Sequence, residues 1–215
     1  MSESRIRDAY DTVATAYDAA LRTELAAKPV DRALLDALLE LCPGIVADVG
    51  CGPGHVTRHL AARHRAVVGV DLSPEMVALA RSAAPELSFE VGSMLDLPVA
   101  DGAWSGIVAF YSIIHLTAEE RAVAFAEFAR ALAPGGWVLI AFHVSAADQP
   151  AGSVQHLAEW FGAAVDLDAF YLDPAVVSFD LAAAGFSVSA STLRSPVPSA
   201  EYPSRRCYLL ARRGA

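Results

Sequence analysis

Apolar positions change their spacing near residue 45, and that change divides the chain. Before it, residues 3–25 and 30–41 carry apolar side chains at helical intervals, with Leu34, Leu35, Leu38, Leu39 and Leu41 on one stripe of the second segment. Pro43-Gly44 ends that segment. Beyond it, short apolar runs at residues 45–49, 66–70, 87–91, 107–110 and 137–142 alternate with stretches of helical length. Runs of ~4–8 apolar residues between helices indicate βαβ units and a parallel sheet buried on both faces. The helices carry their own punctuation. Ser73-Pro74-Glu75 and Thr117-Ala118-Glu119-Glu120 each place a capping hydroxyl before a first-turn acid, and Pro134-Gly135-Gly136 stops the helix that Thr117 opens. After residue 144 the rhythm breaks. Residues 145–153 read as loop, 154–161 as a short aromatic helix and 165–172 as a strand, so 145–172 forms an insert expected to cover a site. Asp173-Pro174 opens a last helix that Gly185 closes, and 186–193 and 206–211 read as two late strands.

Length and charge narrow the class of protein. The 215 residues suit a single α/β domain over 1–215. Lys plus Arg is 16 and Asp plus Glu 25, a net charge of −9, which opposes any partner held by phosphate neutralisation; no nucleic-acid partner is expected. The polar start lacks the apolar core of a secretory signal, and no apolar run approaches the ~20 residues that span a bilayer, so the expected location is cytoplasmic with no membrane partner. Cys42, Cys51 and Cys207 are odd in number and unpaired in spacing; they suggest neither a disulfide framework nor a metal site, and read as small buried hydrophobes. Arg205, Arg206, Arg212 and Arg213 read as charges flanking an edge strand.

The densest chemistry lies in Val46-Ala47-Asp48-Val49-Gly50-Cys51-Gly52-Pro53-Gly54, a strand entering a glycine turn and then a helix. Glycine serves where the backbone turns sharply or must approach a ligand closely, and the N-terminus of the next helix offers free N–H groups. The run 66–70 then ends in Asp71, where a carboxylate can accept hydrogen bonds from both hydroxyls of an unphosphorylated ribose. NAD and S-adenosylmethionine (SAM) both present such a ribose. The glycines follow the spacing Gly50-x-Gly52-x-Gly54, with His55 where the third glycine of a dinucleotide fingerprint would fall, and Asp48 stands ready for an ammonium group, which SAM has and NAD lacks. An NAD-dependent oxidoreductase is thus the disfavoured enzymatic alternative.

With these residues in place, the chain from about residue 10 to 211 resembles the class I SAM-dependent methyltransferase superfamily. Residues 46–54 are similar to its glycine-rich first motif, 70–76 to its second, with Leu72 beside the ribose-binding acid and Met76 near the adenine, and 91–98 to its third, with Ser93 in place of the usual Asp. Residues 104–116, through Phe110, and 130–140 resemble its fourth strand and the helix, turn and strand after it. Tyr10-Asp11-Thr12-Val13-Ala14-Thr15-Ala16-Tyr17-Asp18 looks like the N-terminal motif that closes over SAM in small-molecule members, which makes 1–43 a helical cover. The resemblance implies a doubly wound α/β fold with a mostly parallel seven-stranded sheet, its last strand antiparallel. It implies SAM as cofactor, with Gly50, Gly52, Gly54 and Asp48 at the amino-acid end, Asp71 at the ribose, Met76, Met94 and Leu95 beside the adenine, and Tyr10 and Tyr17 over the top. It implies methyl transfer to a small molecule, and it leaves open the acceptor, the oligomeric state and a non-catalytic SAM-binding role.

Candidates for the acceptor side follow from position. Tyr111 and Ser112 follow the fourth strand, where open α/β sheets bind ligands, and His115 lies one helical turn on. An imidazole with an ordinary pKa near ~6.5 suits a proton acceptor, and helix capping or packing is the other role for it. His143 at the end of the fifth strand has the same two readings. In the insert, His156, Trp160, Phe161, Phe170 and Tyr171 suggest an apolar pocket or ordinary core, while Asp166, Asp168 and Asp173 read as a solvated face.

Overall fold

The computed structural model describes residues 3–63 and 66–214. Strand β1 (Val46–Val49) is buried at every position and pairs in parallel with β2 (Val67–Asp71) on one side and β4 (Trp104–Phe110) on the other. Strand β3 (Ser88–Val91) extends the sheet beyond β2, and β5 (Leu132–Ala146) lies parallel beside β4. Beyond β5 come β9 (Ser204–Arg213), antiparallel to it, and β8 (Phe186–Arg194) at the edge, giving the order β3-β2-β1-β4-β5-β9-β8. Chain order reverses between β1 and β4. A crevice forms at such a reversal, outside the carboxyl ends of the strands.

Both faces of the sheet are covered, as the unbroken apolar runs require. Ile107 and Ala109 of β4, with Val138, Ile140 and Phe142 of β5, face Phe125 and Phe128 of α5 (Ala118–Ala131) and Val177 and Leu181 of α6 (Pro174–Ala183). The intervening Val108, Phe110, Leu139 and Ala141 face the other way. They meet Leu35 and Leu38 of α2 (Pro29–Leu41) and Val56 and Leu60 of α3 (His55–Ala61). Strand period two therefore feeds two cores. Leu41, although on the expected stripe, is an exposed position at the end of α2.

The helix starts form as the punctuation indicates. Ser73 Oγ accepts from the Met76 N–H at the head of α4 (Pro74–Ala83), and Asp173 accepts from Ala175 N–H at α6. Thr117 and Glu120 exchange bonds in a capping box, with Thr117 N–H donating to the Glu120 carboxylate at 2.9 Å. The first helix, α1 (Glu3–Leu21), stops short of the expected residue 25, and a single 3₁₀ turn, Glu24–Ala27, leads into α2.

Residues 154–161 depart from the sequence reading. They form a strand, β6 (Val154–Trp160), paired antiparallel with β7 (Ala163–Phe170) in a separate two-stranded hairpin. Trp160 pairs with Ala163 across Phe161-Gly162, whose φ angles of 49° and 77° are those of a tight two-residue hairpin turn. One face of the hairpin is apolar because α1 lies on it: Leu167 is buried with Ile6 and Ala9. The arginine reading also changes. Strand β9 is interior to the sheet, and Arg206 is only 2% exposed. Among the described residues, no helix is long and apolar enough to cross a membrane.

Candidate functional site

The carboxyl ends of β1, β2 and β4 open into a cleft of about 730 Å³, counted out to its mouth. Its floor is the glycine turn, where Gly50, Gly52 and Gly54 have φ of 77°, 53° and 78°. Their surroundings assign different causes to the three glycines. A Cβ at Gly50 would stand 2.2 Å from that of Ser112, so this glycine lets the turn close against the end of β4. A Cβ at Gly54 would meet the Phe89 ring at 2.9 Å, a requirement of packing. At Gly52 the nearest atom would be a Tyr17 ring carbon at 3.9 Å, so that bare position serves the cleft.

Asp71 stands at the end of β2, and each of its oxygens takes one backbone hydrogen bond, from Gly52 N–H at 2.7 Å and from Ser73 N–H at 2.9 Å. Burial outweighs those bonds and raises its pKa to about 6. Leu72 and Ser73 continue this wall, and Gly92 and Met94 after β3 complete it. Ser93, between them, donates to Glu3 of α1 and accepts from Leu95 N–H. Met76 lies elsewhere: its side chain is fully buried beneath α4, off the cleft wall, and Leu95 packs against the main core instead of lining the cleft.

Asp48 is buried within β1 and accepts the Thr57 hydroxyl at 2.6 Å; burial raises its pKa to about 6. It borders a smaller hollow that shares Tyr17, Gly50, Gly52, Phe110 and Tyr111 with the cleft and adds Glu24, Asp31 and His55. Burial opposes ionisation of Glu24, yet His55 at 3.0 Å and the Lys28 ammonium bring its pKa down to about 2. The hollow is acidic.

The β4 wall carries Phe110, Tyr111, Ser112, His115 and Leu116. Tyr111 has φ of 55°, a strained value for a bulky residue, and donates its hydroxyl to Tyr208 at 2.9 Å. Tyr208 in turn donates to Asp31, which also pairs with Arg194 at 2.7 Å. Glu201, fully buried, holds Arg194 at 2.6 Å, with Lys28 and Arg206 within 4 Å. No sequence pattern announces this buried cluster. Its members come from residues 24–31 and 194–208, and Arg206 looked solvated. His143 belongs to its border and not to the cleft: Ser204 Oγ lies 2.6 Å from its Nδ1 and the ring stacks on Tyr111. Burial, with Arg206 and Lys28 nearby, lowers its pKa to about 3.

Helix α1 roofs the cleft with Ile6, Tyr10 and Tyr17, and Glu3 and Arg7 reach its rim. Tyr10, Tyr17 and Trp160 form an aromatic triangle with centroids 5.3–5.9 Å apart, and Phe161 joins at 5.8 Å from Tyr17. Three acids fasten the helix: Glu3 takes the Ser93 hydroxyl, Asp11 takes that of Ser73, and Asp166 of the hairpin takes Arg5. Asp168 pairs with His156, so these insert acids are engaged with neighbouring side chains. Tyr171 is buried and bonded to Gln155 and Tyr202, a core position. All three cysteines are free and buried.

A parallel sheet whose first strand turns through glycines into a helix, with a carboxylate ending the second strand, defines an α/β protein built to hold a nucleoside. Residues 46–136 match the family described as a methyltransferase domain. The chain is 34% identical over 109 residues to an ajmaline N-methyltransferase of Rauvolfia serpentina, which covers 47% of this chain and 37% of that protein. It is 33% identical over 155 residues to an O-methyltransferase of Penicillium expansum, covering 66% and 52%. It therefore spans about half or less of the length of these relatives. Its fold matches that of magnesium protoporphyrin IX methyltransferase from Synechocystis PCC 6803 with bound SAM, at a TM-score of 0.71 and 20% identity over 99% of this chain and 97% of that one. Residues 46–136 thus resemble a methyltransferase domain in sequence, and nearly the whole chain shares the fold of a SAM-dependent methyltransferase.

Proposed function

We propose that this protein transfers a methyl group from SAM to a small-molecule acceptor. The observation that carries the reading is the pairing of Gly52 with Asp71. The one glycine of the turn whose missing side chain leaves open space donates its N–H to the carboxylate at the end of β2. Each Asp71 oxygen accepts one backbone bond and keeps a lone pair for a ribose hydroxyl. Leu72 and Met94 offer apolar sides to an adenine, and the acidic hollow beside Gly50, with Asp48 at its back, suits an ammonium group. The residues present thus fit SAM from end to end.

SAM supplies a methyl group on a sulfonium, with a neutral leaving group. What remains for the chain is to bind, align and exclude water, and alignment alone is worth up to ~7–11 kcal/mol. Tyr10, Tyr17 and Ile6 close the cleft from above, and the hairpin 154–170 backs them. In this reading 1–215 acts as one domain, 1–43 is its cover and 145–172 its acceptor-side insert. The protein works in the cytoplasm, and its net charge of −9 keeps nucleic acid from being the acceptor. The test is thermal-shift and calorimetric titration with SAM, S-adenosylhomocysteine and NAD, followed by methyl transfer to metabolites of the native host. Stabilisation by NAD and not by S-adenosylhomocysteine would refute the reading.

A further inference from the structure

His115 has a fixed tautomer. Its Nδ1 lies 2.7 Å from the backbone carbonyl of Asp168, a group that can only accept, so Nδ1 carries the hydrogen and Nε2 presents a lone pair. Nε2 meets the Tyr10 hydroxyl at 2.8 Å, and that hydroxyl donates to it. The ring is 3% exposed and lines the cleft, and burial lowers its pKa to about 4, so the imidazole stays neutral. The neighbouring hydroxyls are committed: Tyr111 donates to Tyr208, and Ser112 to the Val49 carbonyl at 2.9 Å.

The surroundings limit what can approach Nε2. Leu116, Phe110 and Ile6 are apolar, and the Tyr10 ring meets that of His115 edge to face at 5.4 Å, with Trp160 packed edge to face against Tyr10. Among the described residues lining the cleft the one permanent cation is Arg7, which is exposed and bonded to Asp8. Nothing beside His115 would neutralise a carboxylate acceptor. A neutral imidazole would have no proton to take from one either.

Resting on the methyltransferase reading above, we propose that the acceptor is a neutral hydroxyl carried on a flat aromatic body, that His115 Nε2 removes its proton, and that the Tyr10 hydroxyl occupies the acceptor hydroxyl's place until substrate enters. The acceptor oxygen uses a lone pair to form the O–C bond to the methyl carbon. The S–C bond breaks with its electron pair staying on sulfur, giving a neutral thioether. The O–H bond breaks with its pair staying on oxygen, and the proton passes to Nε2. The O–H grows strongly acidic as the O–C bond forms, so even a histidine of low basicity takes the proton within the same step. The imidazolium then returns it to water when the cover opens.

The test uses two phenols that differ in ionisation. Phenol holds its proton in the assay, with a pKa near ~10 like the tyrosine side chain, whereas 4-nitrophenol is already ionised at mildly alkaline pH and, unlike a carboxylate, spreads its charge over the ring and nitro group and so needs no paired cation. Benzoate and benzylamine complete the panel. His115→Asn places an amide N–H near the original Nδ1, retaining the bond to Asp168, and removes the Nε2 lone pair. The expected result is a loss of ~10²-fold or more in kcat/KM with phenol and only a small change with 4-nitrophenol, at unchanged affinity for S-adenosylhomocysteine. Tyr10→Phe, which keeps the ring over the cleft and removes the hydroxyl that competes for Nε2, should lower the KM for phenol. Equal losses on both phenols, an equal phenol loss in Tyr10→Phe, or transfer to benzoate or benzylamine with none to either phenol would each overturn the proposal. So would a wild-type protein that binds S-adenosylhomocysteine and methylates nothing in the panel. Failure to bind S-adenosylhomocysteine would instead overturn the function on which the proposal rests.

Discussion

Two sides of one cleft are built by opposite means. Toward β2, the polar groups at the floor of the cleft are glycine backbone and one carboxylate, drawn from a short stretch between Gly50 and Asp71 and locked by two main-chain hydrogen bonds, with Leu72 and Met94 beside them. Toward β4 and β9, Tyr111 takes its position from Tyr208, Asp31, Arg194 and Glu201, residues far apart in the chain. Backbone geometry gives the first side a shape tied to a single ligand. Side-chain networks give the second a shape that depends on residues far apart in the chain.

That contrast can be broken most severely at Gly52. Gly52→Val puts a branched side chain into the one open position of the turn, at a φ of 53° that β-branched residues avoid, and calorimetry should detect no binding of S-adenosylhomocysteine. On the opposite side, Glu201→Ala leaves Lys28, Arg194 and Arg206 without their shared buried anion. Urea unfolding should show a loss of ~3–5 kcal/mol. A smaller effect is expected at Asp71→Ala, where lost charge-assisted bonds of ~1.5–3 kcal/mol should weaken S-adenosylhomocysteine more than tenfold in a protein that still folds. Unchanged affinity there would show that the carboxylate does not meet the ribose.

The pH dependence is gentler. Asp71 has a pKa raised to about 6 in the free protein, so it is largely protonated at pH 5 and ionised at pH 7. Ribose hydroxyls bind the ionised form better. Affinity should therefore rise by up to about tenfold between those values on account of Asp71 and lose that part of the slope in Asp71→Asn, while Asp48, with its own pKa of about 6, keeps its share. The free protein follows the opposite sign. A carboxylate whose folded pKa lies above its unfolded value disfavours folding as it ionises, so stability declines as pH rises toward and through 6. The smallest signal concerns the cover. Hydrogen exchange across residues 5–20 should be fast without ligand and slow with S-adenosylhomocysteine; equal protection in both states would make α1 a fixed part of the core.

The first side was legible in the sequence because its requirements are local. Glycines at alternate positions after an apolar run, an acid closing the next run and a capping serine after it each state a backbone condition within a few residues. The strands and the capping box at Thr117 were readable for the same reason. The hairpin was not, because Trp160 and Phe161, three and four positions after Leu157, satisfy helical spacing as well as strand spacing, and only the positive φ at Phe161 and Gly162 decides between them. Arg206 was misread for a different reason: its burial depends on Glu201 and on β8 covering β9, which no local pattern encodes. Met76 illustrates the remaining gap, since nothing local to the run after Asp71 tells that its side chain turns inward.

The ion pair between Asp31 and Arg194 also bears on how the chain reaches this state. Asp31 sits in the second helix to be synthesised, and its oxygen waits for a guanidinium more than 160 positions later and a tyrosine hydroxyl later still. Until β8 and β9 dock, α2 presents a buried-type carboxylate to water, while the turn at Gly50 can already form with β1, β2 and β3. Contacts of such long sequence separation form late and slow the overall rate. The glycine turn therefore matures ahead of the network that positions Tyr111, and a chain interrupted before residue 194 would carry the turn and β4 without that network.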